Sequence, residues 1–284
     1  MRHQILLPTD FSKSSIKAIN YARELYKNDY CDFYLLNVFS GTSNILESLM
    51  NMEPGSELFE SAKLNSENGL AKVFDMITMS DHHNPKHNFE VISKYNHVVE
   101  AIKNVVAQKD IEIVIMGTKG KTNASNSAFG SVAVDVMEKV RNCPILVVPL
   151  NANLELPKEI VFPTDFKTNY KRRELTYLID IANKCDATIV VLHILETTEL
   201  DSSQKENKEL LEKILKGTRY KFHNLSHNSV MPAVNIFVES RTSDMVAFIN
   251  KKHAFFGSIL TNPMVKKISF HLKVPILTMH DLRN

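Results

Sequence analysis

The sequence has no apolar run of membrane-spanning length, no excess of charge of one sign, only three cysteines, and only 8 glycines in 284 residues. Each shortage excludes something. A helix crossing a bilayer needs about 20 consecutive apolar residues. The opening Met1-Arg2-His3-Gln4-Ile5-Leu6-Leu7-Pro8-Thr9-Asp10 reaches a proline and an acid after Ile5-Leu6-Leu7, which reads as neither a signal peptide nor a membrane anchor. Lys and Arg number 34 against 32 Asp and Glu, a formal net charge of +2, so nothing indicates a nucleic-acid partner. Cys31, Cys143 and Cys185 are odd in number and lack CxxC spacing, which argues against a disulfide framework and for a reducing, cytoplasmic location. What is present is 44% hydrophobic residues, enough to build one large core or two domains of about 142 residues each.

The chain repeats itself. Gln4-Ile5-Leu6-Leu7-Pro8-Thr9-Asp10-Phe11 returns as Glu159-Ile160-Val161-Phe162-Pro163-Thr164-Asp165-Phe166, displaced by 155. Phe33–Val38 matches Ile189–Ile194 at 156, and Val98–Met116 matches Val230–Phe248 without a gap at 132. Each half closes on a proline-led apolar run, Cys143-Pro144-Ile145-Leu146-Val147-Val148 and Val274-Pro275-Ile276-Leu277-Thr278-Met279. The matches keep their order, as a duplicated domain would.

Short β-branched and aromatic runs ending at turn signals predict strands near 3–8, 32–39, 88–93, 111–116 and 144–149 in the first half. Apolar residues at helical spacing predict helices over 13–27, behind Ser12, and over 97–108, with another near 56–80. Near-continuous apolar strands with helical crossovers pair in parallel with helices on both faces. The fold class is therefore α/β, as two tandem doubly wound parallel five-stranded sheet domains spanning 1–150 and 157–284, with a short linker over 150–158. Residues 41–69 read as an irregular surface loop in preference to a flap, and 197–208 as a solvated loop and helix start.

Three of the few glycines fall into one pattern. Gly117-Thr118-Lys119-Gly120 follows the strand 111–116, and Gly130-Ser131 opens the next helix, giving Gly-x2-Gly-x9-Gly-Ser. Glycines after a parallel strand let backbone N–H groups approach phosphate oxygens, and Gly130, Ser131 and Val132 stand at a helix N-terminus that favours an anion. Lys119 and Lys121 could add charge there, although exposed loop lysines are common. Gly117→Val with Gly120→Val is expected to fill that approach while leaving the sheet core untouched.

Pro-Thr-Asp-Phe at a strand end, Met116-Gly117-Thr118-Lys119-Gly120, Phe129-Gly130-Ser131 and Cys143-Pro144-Ile145-Leu146-Val147-Val148-Pro149 together resemble the ATP-binding subclass of the universal stress protein family, in its tandem form. That resemblance implies an adenine nucleotide alpha hydrolase-like fold, a cytoplasmic stress-response role and ATP, with or without Mg, as ligand. Carried onto matching positions, it implicates Pro8, Thr9, Asp10 and Val38 around adenosine, and Met116, Gly117, Gly120, Gly130, Ser131 and Val132 around ribose and phosphates. It also implies an intrachain pseudo-dimer of the two halves through 144–149 and 275–279, and further pairing of whole chains. Asp10 and Val38 have local readings as well, a turn after a strand stop and an ordinary core strand.

The second half departs from this pattern. Gly117 and Gly120 become Ile249 and Lys252, read as lying in the turn, and the loop to Gly257-Ser258 is shorter. The expectation is one ATP per chain. His82, His83 and His87 lie in a polar turn without a further ligand, no cysteine stands beside a general base, and no Walker loop is visible, so neither a metal site nor a catalytic residue is assigned. The expected role is non-catalytic and nucleotide-responsive. A slow ATPase or nucleotidyl-transfer enzyme and a nucleotide-independent interaction scaffold are the alternatives, separated by turnover with magnesium and by nucleotide-induced thermal shift.

Overall fold

A computed structural model describes residues 2–39, 53–79, 84–118, 130–195, 199–226, 230–250 and 273–280. Among the described residues, the first half runs β1 (His3–Pro8), α1 (Lys13–Leu25), β2 (Cys31–Phe39), α2 (Glu57–Thr78), β3 (His87–Tyr95), α3 (Val98–Gln108), β4 (Ile113–Gly117), α4 (Ser131–Lys139) and β5 (Ile145–Val148). The second runs β6 (Glu159–Thr164), α5 (Arg172–Cys185), β7 (Thr188–Leu195), α6 (Ser202–Leu215), β8 (Tyr220–Ser226), α7 (Val230–Arg241), β9 (Met245–Asn250) and β10 (Ile276–His280). The helix predicted over 13–27 stops at Leu25. The strand predicted from 111 starts at Ile113, because Ile111 N–H still donates to Val106 O and Asp110 takes φ 48°.

The strands form one sheet in the order β3-β2-β1-β4-β5-β10-β9-β6-β7-β8. Pairing within each half is parallel. The halves meet where β5 and β10 pair antiparallel, with Leu146 opposite Leu277, Val147 opposite Ile276 and Ile145 opposite Thr278. Leu146 and Leu277 are counterparts in the repeat, so the register is symmetric about that pair. Helices α1, α2, α5 and α6 cover one core, built on Ile5, Phe33, Leu146, Phe162 and Leu277. Helices α3, α4 and α7 cover the other, built on Leu6, Val114, Val147, Val161 and Ile276.

The Pro-Thr-Asp-Phe segments build the same turn twice. Thr9 Oγ1 accepts from Phe11 N–H at 3.0 Å, Asp10 Oδ1 accepts from Ser12 N–H at 3.1 Å, and Phe11 takes φ 64°. Thr164, Asp165 and Phe166 repeat this at 3.0 Å, 2.9 Å and φ 55°. A β-branched or bulky residue at positive φ is strained, and here two side-chain acceptors hold it.

Beyond this turn the halves diverge. In the first, α1 starts at once, Ser15 Oγ lies 2.9 Å from Thr9 Oγ1, and the helix N-terminus lies against β4. A Cβ on Gly117 would fall 2.5 Å from Ser14 Oγ and 2.7 Å from the Ser14 carbonyl, so Gly117 is required for backbone packing of α1 on β4. This corrects the expectation that bulk at position 117 leaves the core untouched. In the second half α5 begins only at Arg172, Tyr170 OH takes the place of Ser15 at 2.6 Å from Thr164 Oγ1, and Glu174 accepts from Lys171 N–H at 3.1 Å. The buried positions Ser14, Ala18, Ile19 and Ala22 then correspond to Glu174, Leu178, Ile179 and Ala182, displaced by 160 and not 155. Ile249, expected in a turn, lies inside β9, paired with Met279 and 5% exposed.

Two stability predictions follow from this packing. Gly117→Ala is expected to cost about 1–3 kcal/mol, because backbone and not a flexible side chain must give way; urea unfolding measures it. His280 on β10 is 4% exposed, and neither ring nitrogen has a hydrogen-bond partner among the described residues. Burial first, and then the Arg141 charge, push its pKa from 6.5 down to about 3. The unfolded chain takes up that proton below 6.5 and the folded chain does not, so this group lowers stability by about 1.4 kcal/mol per pH unit between 6.5 and 3. Urea midpoints at pH 7 and 5.5 are expected to fall less in His280→Phe than in the parent.

Candidate functional site

The order β2-β1-β4 brings Val38, Pro8–Asp10 and Met116–Gly117 to one carboxyl edge of the first half. Strand order reverses between β1 and β4, the position at which open α/β sheets hold ligands. Val38 and Met116 turn toward the core under α3 and α4, Met116 buried and Val38 partly so. Pro8 ends β1 opposite Leu36, and Thr9 N–H donates to Leu36 O at 2.8 Å.

Thr118 and Gly130 join the two ends of the glycine segment. Gly130 N–H donates to Thr118 O at 2.7 Å, with Thr118 buried. Gly130 is the N-cap of α4 at φ −72° and ψ 155° and supplies no side-chain cap. Ser131 is exposed and Val132 is 43% exposed beside it. The first N–H groups of a helix have no partner within it, and with the positive end of the helix dipole they attract anions. Gly120, Lys119 and Lys121 lie outside the described residues, as do Lys252 and Gly257-Ser258 in the second half. Every other sequence-derived site residue is gathered at this edge.

Sequence reasoning passed over Asn37. It is buried on the face opposite Val38, and its Nδ2 donates to Thr9 O at 2.6 Å, fixing β2 to the strand-end turn. On that face a cleft of about 810 Å³ opens between α1 and α2, bounded by Asp10, Phe11, Asn37, Asn65, Lys72 and Met76. A Cβ on Gly69 of α2 would lie 2.3 Å from the Phe11 ring, so this glycine admits that ring. The spacing of Asn65, Gly69 and Lys72 along one face of a helix was the available signal. In the second half, Gln204 Nε2 and Asn207 Nδ2 donate to the carbonyls of Asp165 and Phe166, each at 2.8 Å, so α6 is bonded directly to the turn.

His87 of the histidine cluster is a core residue, its Nε2 3.0 Å from Tyr26 O, and His82 and His83 lie outside the described residues. No group of three or more metal-ligating side chains occurs among the described residues. Burial raises the thiols of Cys31 and Cys143 to about 12 and of Cys185 to about 11, which leaves them protonated at neutral pH. No helix among the described residues is long and apolar enough to cross a membrane.

Comparison with known proteins agrees with this architecture. The model of the universal stress protein family matches residues 1–149. Universal stress protein MJ0577 of Methanocaldococcus jannaschii is 30% identical over 175 residues, covering 52% of this chain and 95% of that protein. MJ0531 of the same organism is 28% identical over 148 residues, covering 51% and 81%. A universal stress protein structure from Archaeoglobus fulgidus shares the fold across both halves, with a TM-score of 0.72 at 16% identity over 97% of this chain and 95% of that one. With the α/β sheet order, the matched segment and these relatives in agreement, the chain belongs to the universal stress protein family.

Proposed function

We propose that the first half, 1–150, binds ATP, with or without Mg, and that occupancy acts as a signal without catalysis in a cytoplasmic stress-response protein. The observation that carries this reading is the Gly130 to Thr118 hydrogen bond, which sets the uncapped N-terminus of α4 beside the strand ends of β1, β2 and β4. In this reading Met116, Gly117, Gly120, Gly130, Ser131 and Val132 face ribose and phosphates, while Pro8, Thr9, Asp10 and Val38 frame the adenosine. The second half, 157–284, completes an intrachain pair through β5 and β10 and holds no nucleotide. Its Ile249 is a core residue where the first half has Gly117, and Gln204 and Asn207 tie α6 to its strand-end turn.

Calorimetry is expected to saturate at one ATP per chain; two equivalent sites would refute the division of labour. Gly120→Val is the loop variant of choice, because Gly117 also carries helix packing, and it is expected to abolish binding with the circular dichroism unchanged. Asp10→Asn keeps an Oδ1 acceptor for Ser12 N–H, so the turn stays formed. Loss of the carboxylate charge is expected to weaken ATP about tenfold at unchanged urea midpoint. Unchanged affinity would assign Asp10 to the turn alone.

A further inference from the structure

Asn250 occupies in the second half the position of Thr118 in the first, at the displacement of 132 that also aligns β4 with β9. The two carbonyls accept different donors. Thr118 O accepts from Gly130 N–H at 2.7 Å and closes the glycine segment. Asn250 O accepts from Arg141 Nη2, also at 2.7 Å, and Arg141 belongs to the first half, just beyond the end of α4. Asn250 returns the contact, its Nδ2 donating to Met137 O at 3.2 Å in the last turn of α4. Asn250 is buried and is paired along β10 with His280.

The antiparallel seam makes this contact possible, because the carboxyl edge of the second half lies beside the amino edge of the first, where α4 ends. The last turn of a helix carries carbonyls without helical partners and partial negative charge. An amide N–H on Met137 O and a guanidinium beside it answer both. We infer that the altered loop position of the second half is a dock for α4, and that Arg141 and Asn250 are positioning residues for the anion site at the other end of that helix. This rests on the nucleotide reading above. A helix held at its carboxyl end by a neighbouring strand presents its first turn at a fixed height and tilt, so its N–H groups are ordered before a phosphate arrives.

The test uses the full chain as Arg141→Ala, Asn250→Ala and Arg141→Lys, with amide hydrogen exchange over 131–139 and ATP calorimetry as readouts. Exchange over 13–25 serves as the measure of global stability. Both alanine variants are expected to speed exchange over 131–139 about tenfold at unchanged 13–25, and to weaken ATP about tenfold. Arg141→Lys keeps a single donor for Asn250 O and is expected to restore both. If an alanine variant does not fold, Arg141→Gln carries the same measurements. Unchanged exchange over 131–139 overturns the dock. Faster exchange with unchanged ATP affinity overturns the positioning role alone. A parent chain that binds no ATP removes the nucleotide reading and the positioning role with it, an outcome recognised before any variant is compared.

Discussion

Everything in this chain is arranged around the antiparallel pairing of β5 with β10. A parallel five-stranded sheet ending at β5 or at β10 would expose a short strand that is buried along its whole length here and whose backbone donors and acceptors need a partner. Pairing these strands satisfies both edges at once and makes each face of the sheet a core shared by the halves. Side chains reinforce the join. Lys184 of α5 bridges to Asp29 at 2.6 Å and lies 3.8 Å above the Tyr26 ring, across the helices that flank the seam.

Much of this was readable from residue order. The run Ile113–Met116 between a helical pattern and a glycine identifies a buried parallel strand, and its match at a displacement of 132 places β9 over its four core residues Met245–Phe248, short of Ile249. Ser12 announces a helix, and its side chain accepts the N-cap bond from Ser15 N–H. Local chemistry suffices for such features, because the partner lies within a few residues.

The features that escaped depend on contacts outside the motif that suggests them. Gly117 reads from its neighbours as a ligand glycine alone, whereas it also packs against the backbone of Ser14. The delayed start of α5 could not be seen from the repeated Pro-Thr-Asp-Phe, since Tyr170 takes over the threonine contact that Ser15 makes in the first half. Nothing in the residues around Arg141 singles it out, and its partner Asn250 lies 109 residues away on β9. The edge residues of β1, β2 and β4 were legible because sheet order alone assembles them. The cleft beside α2 was not, because it depends on how closely a helix approaches a turn.

The symmetric register at Leu146 and Leu277 has a consequence for how such a molecule can change. In a pair of identical chains joined this way, any substitution at one site is copied at its twin, so a change that ruins a loop ruins both. Joining the halves in one chain removes that obligation while keeping the shared sheet, and makes the pairing independent of protein concentration. One half can then carry Ile249 and Asn250 where its neighbour carries Gly117 and Thr118. Two ends of a symmetric scaffold held in one chain are thus free to specialise separately.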